Sequence, residues 1–341
     1  MVPVTRMATD SSKAGMPLLT VAVPTFNRSR YLATFLSAVA PQIARENCVE
    51  LLISDNASTD GTAELVQSYQ SQGILIRYVR NESNIGADGN ILQCFELASG
   101  KYVWICGDDD VIEPCGLNTL LKYLTSQDEY DLISLHARGF TGDYSPQTAK
   151  SPEKIKIFKR PEDLARRVNV FFTFITGMII NKQRVSSFPH RPFSGLVDTN
   201  LVQLSWTYSA LEHHRRSLII YTPLVATLAN NTGGYALFKV FGTNLKRITD
   251  EWLSSPRVRS AIYRGTMQSF FPWFLVKSKN GSAFLSEDPH RILRPAFGNY
   301  LHYWVFDFPI IKLPRILGIG WFWMVKVINK VDKTLLRGIG S

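Results

Sequence analysis

Four short apolar runs in the first third of the chain, Leu18–Val23, Val49–Ser54, Ile74–Val79 and Lys101–Cys106, each break off into a polar cluster. Helical periodicity fills the intervals: Ser29–Ala40, a stretch from Thr62 to about Gln72, and Gly86 through Ala98. That alternation predicts βαβ units and an open α/β sheet, with a fifth strand over Asp131–Leu135. The polar clusters follow the runs, so they fall at the carboxyl ends of the strands, where an open α/β sheet binds its ligands.

The fourth run ends in Gly107-Asp108-Asp109-Asp110. Three like charges at the end of a buried strand repel one another and lose hydration unless a cation or strong donors sit among them. Hard oxygen ligands suit Mg²⁺ or Mn²⁺, ions that commonly work beside phosphates. The competing reading of such a triplet is a solvated acidic turn.

At 341 residues, with 45% hydrophobic and 12% aromatic residues, the chain can bury a full core and is not broadly disordered. The net charge of +10 divides unevenly, −6 over residues 1–150 and +16 over 151–341. An acidic front with a basic back argues against one continuous nucleic-acid groove. It fits a metal site ahead of an anionic partner or membrane surface. Cys48, Cys94, Cys106 and Cys115 form no CxxC pair and predict reduced thiols in a cytosolic setting. Residues 1–17 lack an apolar signal-peptide core and read as a flexible N-terminus. No stretch reaches the ~18 apolar residues of a membrane span.

No GxGxxG follows the first run and no GxxxxGK[ST] occurs, which disfavours dinucleotide dehydrogenases and P-loop NTPases. Val21-Ala22-Val23-Pro24-Thr25-Phe26-Asn27-Arg28 stands there instead. Ile53-Ser54-Asp55-Asn56-Ala57-Ser58-Thr59-Asp60-Gly61-Thr62, Asn84-Ile85-Gly86 and Gly107-Asp108-Asp109-Asp110 follow. In this order and spacing the four motifs resemble the family 2 inverting glycosyltransferases of GT-A fold, nearest the abequosyltransferase-like branch that builds bacterial O-antigen and other polysaccharides. The resemblance covers residues 18 to about 135. It implies a Rossmann-like mixed sheet flanked by helices, a nucleotide-sugar donor, a divalent ion (Mn²⁺ or Mg²⁺) and a saccharide acceptor.

Expectations for single residues follow. Pro24, Thr25, Asn27 and Arg28 line the end of the first strand and offer donors and a cation to the nucleotide; the alternative is a helix cap ahead of Ser29. The resemblance assigns Asp55 to a base N–H, against an Asx-turn role in helix entry. Asp60 reads as the weaker nucleotide candidate. Arg80, Asn84 and Gly86 face the same rim, within reach of base or ribose, with surface solvation as the other reading. The resemblance implies Asp108 at the ribose or metal, Asp110 on the metal, and Asp109 toward core or sugar.

Inverting transfer also needs a base for the acceptor hydroxyl. The resemblance asks for a carboxylate from the acceptor half, and Asp198 is the only acidic residue between Asp163 and Glu212. It is expected to open a helix over Gly195–Glu212, where a macrodipole role competes. Glu212, His213 and His214 stand in reserve.

Downstream, Thr141–Pro152 reads as a linker or flap, Phe171–Ile180 as a buried strand, Leu218–Leu228 as extended and Asn230–Tyr235 as a turn. From Met324 on, Met324, Ile328, Val331 and Leu335 form one helical stripe and Lys326, Lys330, Lys333 and Arg337 a nearly opposite one, after Trp321, Phe322 and Trp323. An aromatic anchor with a basic face suits an anionic leaflet; docking on the protein's own domain is the competing role.

The expected organisation is a GT-A domain over 18–228, split into a nucleotide-sugar half (18–135) and an acceptor half (136–228). A mainly helical, aromatic and basic extension over 229–341 follows. The expected function is metal-dependent inverting glycosyl transfer to a lipid-linked saccharide at the inner face of the cell membrane, without nucleic acid. A sugar-phosphate nucleotidyltransferase lacks its glycine-rich loop here. A polyanion binder would interleave its aromatics with basic residues, whereas these lie mostly in apolar runs.

Overall fold

The computed structural model describes residues 16–147, 153–229, 234, 236–281 and 287–338, with side chains up to residue 330. The expected N-terminal segment (but for its last two residues), the Asn230–Tyr235 turn (but for Gly234), part of the Thr141–Pro152 flap and the side chains of Val331, Lys333, Leu335 and Arg337 lie outside the described residues.

The front half follows the expected alternation: β1 (Leu19–Thr25), α1 (Ser29–Ile43), β2 (Val49–Asp55), α2 (Thr62–Ser71), β3 (Ile76–Arg80), α3 (Gly86–Leu97) and β4 (Tyr102–Ile105). A two-residue β5 (Val111–Ile112), α4 (Gly116–Leu124) and β6 (Leu132–Phe140) come next. Then β7 (Ile155–Phe158), α5 (Pro161–Val168), β8 (Met178–Asn181), α6 (Lys182–Ser187), α7 (Leu204–Glu212) and β9 (Ser217–Leu228) complete the sheet region. The strand order is β3-β2-β1-β4-β8-β6-β9-β5, with β7 against β9. β1 is parallel to β2 and β4, and β8 runs antiparallel between β4 and β6. The sheet is therefore mixed, and the chain order reverses beside β1.

Period-2 alternation divides the strands between two cores. Leu19, Val21, Val23, Tyr102 and Trp104 pack toward α1 and α4; Ala22, Val103 and Ile105 face α3 and α7. The second core continues without a break into the C-terminal helices through Phe238, Tyr263, Phe297 and Phe322. Those helices are α8 (Leu245–Trp252), α9 (Pro256–Gly265), α10 (Phe271–Lys279), α11 (Pro289–Phe297), α12 (Phe308–Lys312) and α13 (Arg315–Gly338). α10 and α12 carry Pro272 and Pro309 in their first turns, each just after a π-helical turn. A proline without an amide opens the hydrogen-bond ladder at that point.

Two expected elements are corrected. Over Phe171–Ile180 only Met178–Asn181 is strand, because β8 is as short as its partner β4. Two 3₁₀ turns precede it, and Gly107 N–H bonds the Thr176 hydroxyl instead of a strand backbone. The helix expected over Gly195–Glu212 starts only at Leu204; a 3₁₀ turn at Phe193–Leu196 leads into turns in which Asp198 and Asn200 take left-handed φ of 65° and 59°. Asp198 thus sits in a turn, not at a helix start.

α13 packs inward through Phe322 and Val325, and Asn329 bonds the Gln268 carbonyl. The Trp321-Phe322-Trp323 group is divided: Phe322 is buried, Trp321 is held by the Val305 carbonyl and Trp323 is 59% exposed. Ile316, Leu317, Met324 and Val327 are exposed as well. Lys326 lies over the rings of Trp273 and Trp323, 5.4 and 4.7 Å from their centroids. Among the described residues no helix is long and apolar enough to cross a membrane.

Candidate active site

Strand register assembles the site. Thr25 pairs with Asp55, and Asp55 with Arg80, so three strands end level at the carboxyl edge. Cys106 N–H donates to the Ala22 carbonyl and carries the Gly107–Asp110 turn to the same edge, beside the order reversal. This is the crevice that open α/β folds use for ligands.

The carboxylates there have specific partners. Asp108 accepts from the Thr25 hydroxyl and from Arg28, both at 2.8 Å, and Asp109 accepts from the other arm of Arg28 at 3.1 Å. Arg28 also stacks over Tyr31, 4.7 Å from its centroid. Asp110 takes the Thr176 hydroxyl proton at 2.5 Å. Burial pushes Asp108 up to about 6 against the pull of Arg28 and Thr25, and burial together with its acidic neighbours pushes Asp110 up to about 7 despite Thr176. An added Cβ on Gly107 would stand 3.0 Å from an Asp109 oxygen and 3.2 Å from an Asp110 oxygen, so those carboxylates would have to give way slightly.

This donor set fits a divalent ion. Asp108 and Asp110 are hard oxygen ligands whose charges burial leaves under-compensated. Among the described residues, no three His, Cys, Asp or Glu side chains close into a metal cage. An ion would therefore share its shell with phosphate oxygens, the usual habit of Mg²⁺.

The rim formed by the loops after β1, β2 and β3 is a hydrogen-bonded network. Asp55, fully buried, accepts from Ser58 N–H and the Tyr78 hydroxyl, with Arg80 3.6 Å away; its bond reaches three residues on, one more than the Asx turn considered from sequence. Arg80 is tied to the Ser58 carbonyl. Asn27, at a left-handed φ of 52°, accepts Thr59 N–H and gives its own amide to Ser58, so its side-chain oxygen serves the neighbouring loop. Asn84 accepts from Asn56 and from the amide of Gly86, whose φ of 80° favours glycine. Asp60 caps, binding Ser29 and Thr62 amides at the starts of α1 and α2.

Sequence reasoning passed over three members, Asn56, Thr176 and Asp88. Asn56 is a hub joining Asn81, Asn84, Ile85 and Gly86. Asn90, one helical face beyond the rim residues, is buried and stitches the ends of β1 and β2 through the Thr25 and Ser54 carbonyls. Thr176 reaches the triplet from the acceptor half, and Asp88 is buried in the first turn of α3. Asn56 lay within a quoted motif, its available signal; Thr176 and Asp88 are defined by partners distant in sequence.

Asp198 is exposed and lies at the same carboxyl edge, since the amide of Asn200, two residues on, bonds Asp88 at 2.7 Å. The reserve candidates lie elsewhere. Glu212, His213 and His214 follow the far end of α7, where Arg215 and Arg216 amides bind Asp131 just before β6 begins. That is the amino edge of the sheet.

Residues 20–186 match the family model described as Glycosyl transferase family 2. They form a family 2 glycosyltransferase domain. Abequosyltransferase RfbV of Salmonella typhimurium is 32% identical over 178 residues, 49% of this chain and 54% of that protein. A Campylobacter jejuni GalNAc(5)-diNAcBac-PP-undecaprenol beta-1,3-glucosyltransferase is 34% identical over 31% of this chain and 34% of its own. The chain thus spans from about a third to about half the length of these relatives. The glycosyltransferase fold extends past the matched domain. S. aureus TarS 1-349 in complex with UDP-GlcNAc superposes with a TM-score of 0.57 at 17% identity over 92% of each chain. Mannosyltransferase PcManGT from Pyrobaculum calidifontis, in complex with GDP-Man and Mn²⁺, gives 0.51 at 17% identity over 94% of this chain and 88% of that one. The resemblance drawn from four motifs and the GT-A fold are both borne out.

Proposed function

We propose that this chain is an inverting glycosyltransferase that moves a sugar from a nucleotide-sugar donor to a lipid-linked saccharide. The observation that carries the reading is the cluster of Thr25, Arg28, Asp108, Asp109 and Asp110 at the carboxyl edge of β1 and β4. Asp110, with Asp108, would hold Mn²⁺ or Mg²⁺. Such an ion would neutralise the diphosphate as the sugar–phosphate bond breaks.

The remaining roles belong to the chain's own groups. Pro24, Thr25 and Asn27 shape the loop under the donor, and Arg28 presents its cation to the phosphates. Asp55, Arg80, Asn84 and Gly86 hold the rim for base and ribose, with Asp108 and Asp109 toward ribose and sugar. Asp198 takes the proton from the acceptor hydroxyl as that oxygen attacks the anomeric carbon opposite the leaving diphosphate. Residues 18–135 serve the donor, 136–228 the acceptor, and 229–341 is the C-terminal extension.

That extension docks the protein on the cytoplasmic face of an anionic membrane. Support comes from Ile316, Leu317, Trp323, Met324 and Val327 exposed on one helix, with Lys277 and Lys326 over the neighbouring Trp273 ring. The Campylobacter relative is named for an undecaprenol-linked saccharide, and undecaprenol is a lipid, in keeping with this.

A thermal-shift panel of UDP-, GDP-, CDP- and dTDP-sugars with and without Mn²⁺ tests the donor reading. One donor should raise Tm, and more so with the ion, because ligand binding to the folded state stabilises it. No shift with any nucleotide sugar would refute it.

A further inference from the structure

Asp88 stands in the first turn of α3, where a carboxylate ordinarily complements the helix dipole while facing water. This one is buried, and its partners come from a distant segment. It accepts Asn200 N–H at 2.7 Å across 112 residues of sequence. The segment so gripped contains two non-glycine residues in left-handed conformation, Asp198 and Asn200. Such backbone persists only where its surroundings over-determine it. A second restraint is Asn244 at the start of α8, whose side chain donates to the Thr199 carbonyl at 3.0 Å.

We propose that Asp88 is a positioning residue whose carboxylate, reaching from the donor half, clamps the Asp198 turn in its left-handed form at the carboxyl edge of the sheet. The inference rests on the reading of Asp198 as base and extends it. A buried carboxylate bonded to a backbone amide is a directional anchor, because the bond fixes the peptide plane it meets. The clamp couples the two halves: the helix that begins at the nucleotide rim with Gly86 also sets the backbone that carries the base. Asp88 itself touches no reacting atom in this scheme.

The experiment uses the full chain. Asp88→Asn is nearly isosteric but removes the charge and one of the two acceptor oxygens, so the bond from the Asn200 amide weakens. Amide hydrogen exchange at residues 199–202 should quicken roughly tenfold or more, while amides of β1 and β2 keep their protection. kcat should fall roughly 10- to 100-fold, the scale of a small misplacement, with donor KM nearly unchanged. On an Asp198→Asn background the same change should cause no further loss of kcat. Asp88→Glu retains the anion and should recover part of both signals, and it serves if Asp88→Asn folds poorly. Unchanged exchange at 199–202 would overturn the clamp whatever the base is. A kcat loss that persists in full without the Asp198 carboxylate, or a donor KM that rises in step, would assign Asp88 to the donor pocket instead. Near-normal turnover of Asp198→Asn alone would remove the base reading, and the exchange data would still decide whether the clamp exists.

Discussion

Replacing Thr176 by Val removes one hydroxyl and almost no volume, yet that hydroxyl has two partners, half-buried Gly107 and buried Asp110. It accepts Gly107 N–H at 2.9 Å and donates to Asp110 at 2.5 Å. Thr176 is fully buried and Asp110 is buried beside it, so water does not substitute easily. An unsatisfied buried amide costs ~1–3 kcal/mol, and a lost hydrogen bond to a charged group ~1.5–3 kcal/mol. Thr176→Val should therefore lower stability by about 2.5–6 kcal/mol, a large share of the ~5–15 kcal/mol typical of a domain. Denaturant unfolding followed by circular dichroism measures it as a drop in midpoint at unchanged slope. Transfer should fall as well, because both the Gly107 turn and the Asp110 carboxylate lose their hold. Thr176→Ser keeps the hydroxyl and should restore most of both. A Thr176→Val protein within about 0.5 kcal/mol of wild type would refute the two-bond argument. A Thr176→Ser protein as damaged as Thr176→Val would assign the effect to the lost methyl.

Transfer should stop in EDTA and resume with Mn²⁺ or Mg²⁺; Asp110→Ala should stay folded and inactive, and full activity of that variant in EDTA would exclude Asp110 as a ligand. Asp198→Asn should lower kcat roughly 10²- to 10⁴-fold with donor binding intact, read by steady-state kinetics beside donor titration. Near-normal turnover would sink the base assignment, and the position of Glu212 and His213 at the opposite edge prevents them from inheriting it. Changing Lys277, Lys326 and Lys330 to Gln should weaken binding to anionic vesicles roughly 10²-fold, at ~1 kcal/mol for each cation, and raised salt should weaken the wild type in parallel. Undiminished co-sedimentation of the triple variant would count against the membrane surface.

Residues 18–135 were legible in the sequence because their determinants are local. Period-2 apolar runs specify β1 to β4, and the residues closing each run, Thr25, Asp55, Arg80 and Asp108, necessarily reach one edge once the strands lie parallel. The acidic triplet announced its own electrostatic problem. What relieves that problem was not legible: Arg28 lies 80 residues away in sequence, and Thr176 is 66 residues beyond Asp110. The segment after β7 was misread for a related reason. Helical periodicity over Gly195–Glu212 is real, but a buried carboxylate 112 residues upstream bends the first part into turns, and no local propensity records that competitor. The C-terminal helix shows the same division. Its sequence determined that it is amphipathic and aromatic. Only packing decided that Phe322 and Val325 face inward while Trp323 and Met324 face out, because which flank of a helix is covered depends on the neighbour that arrives.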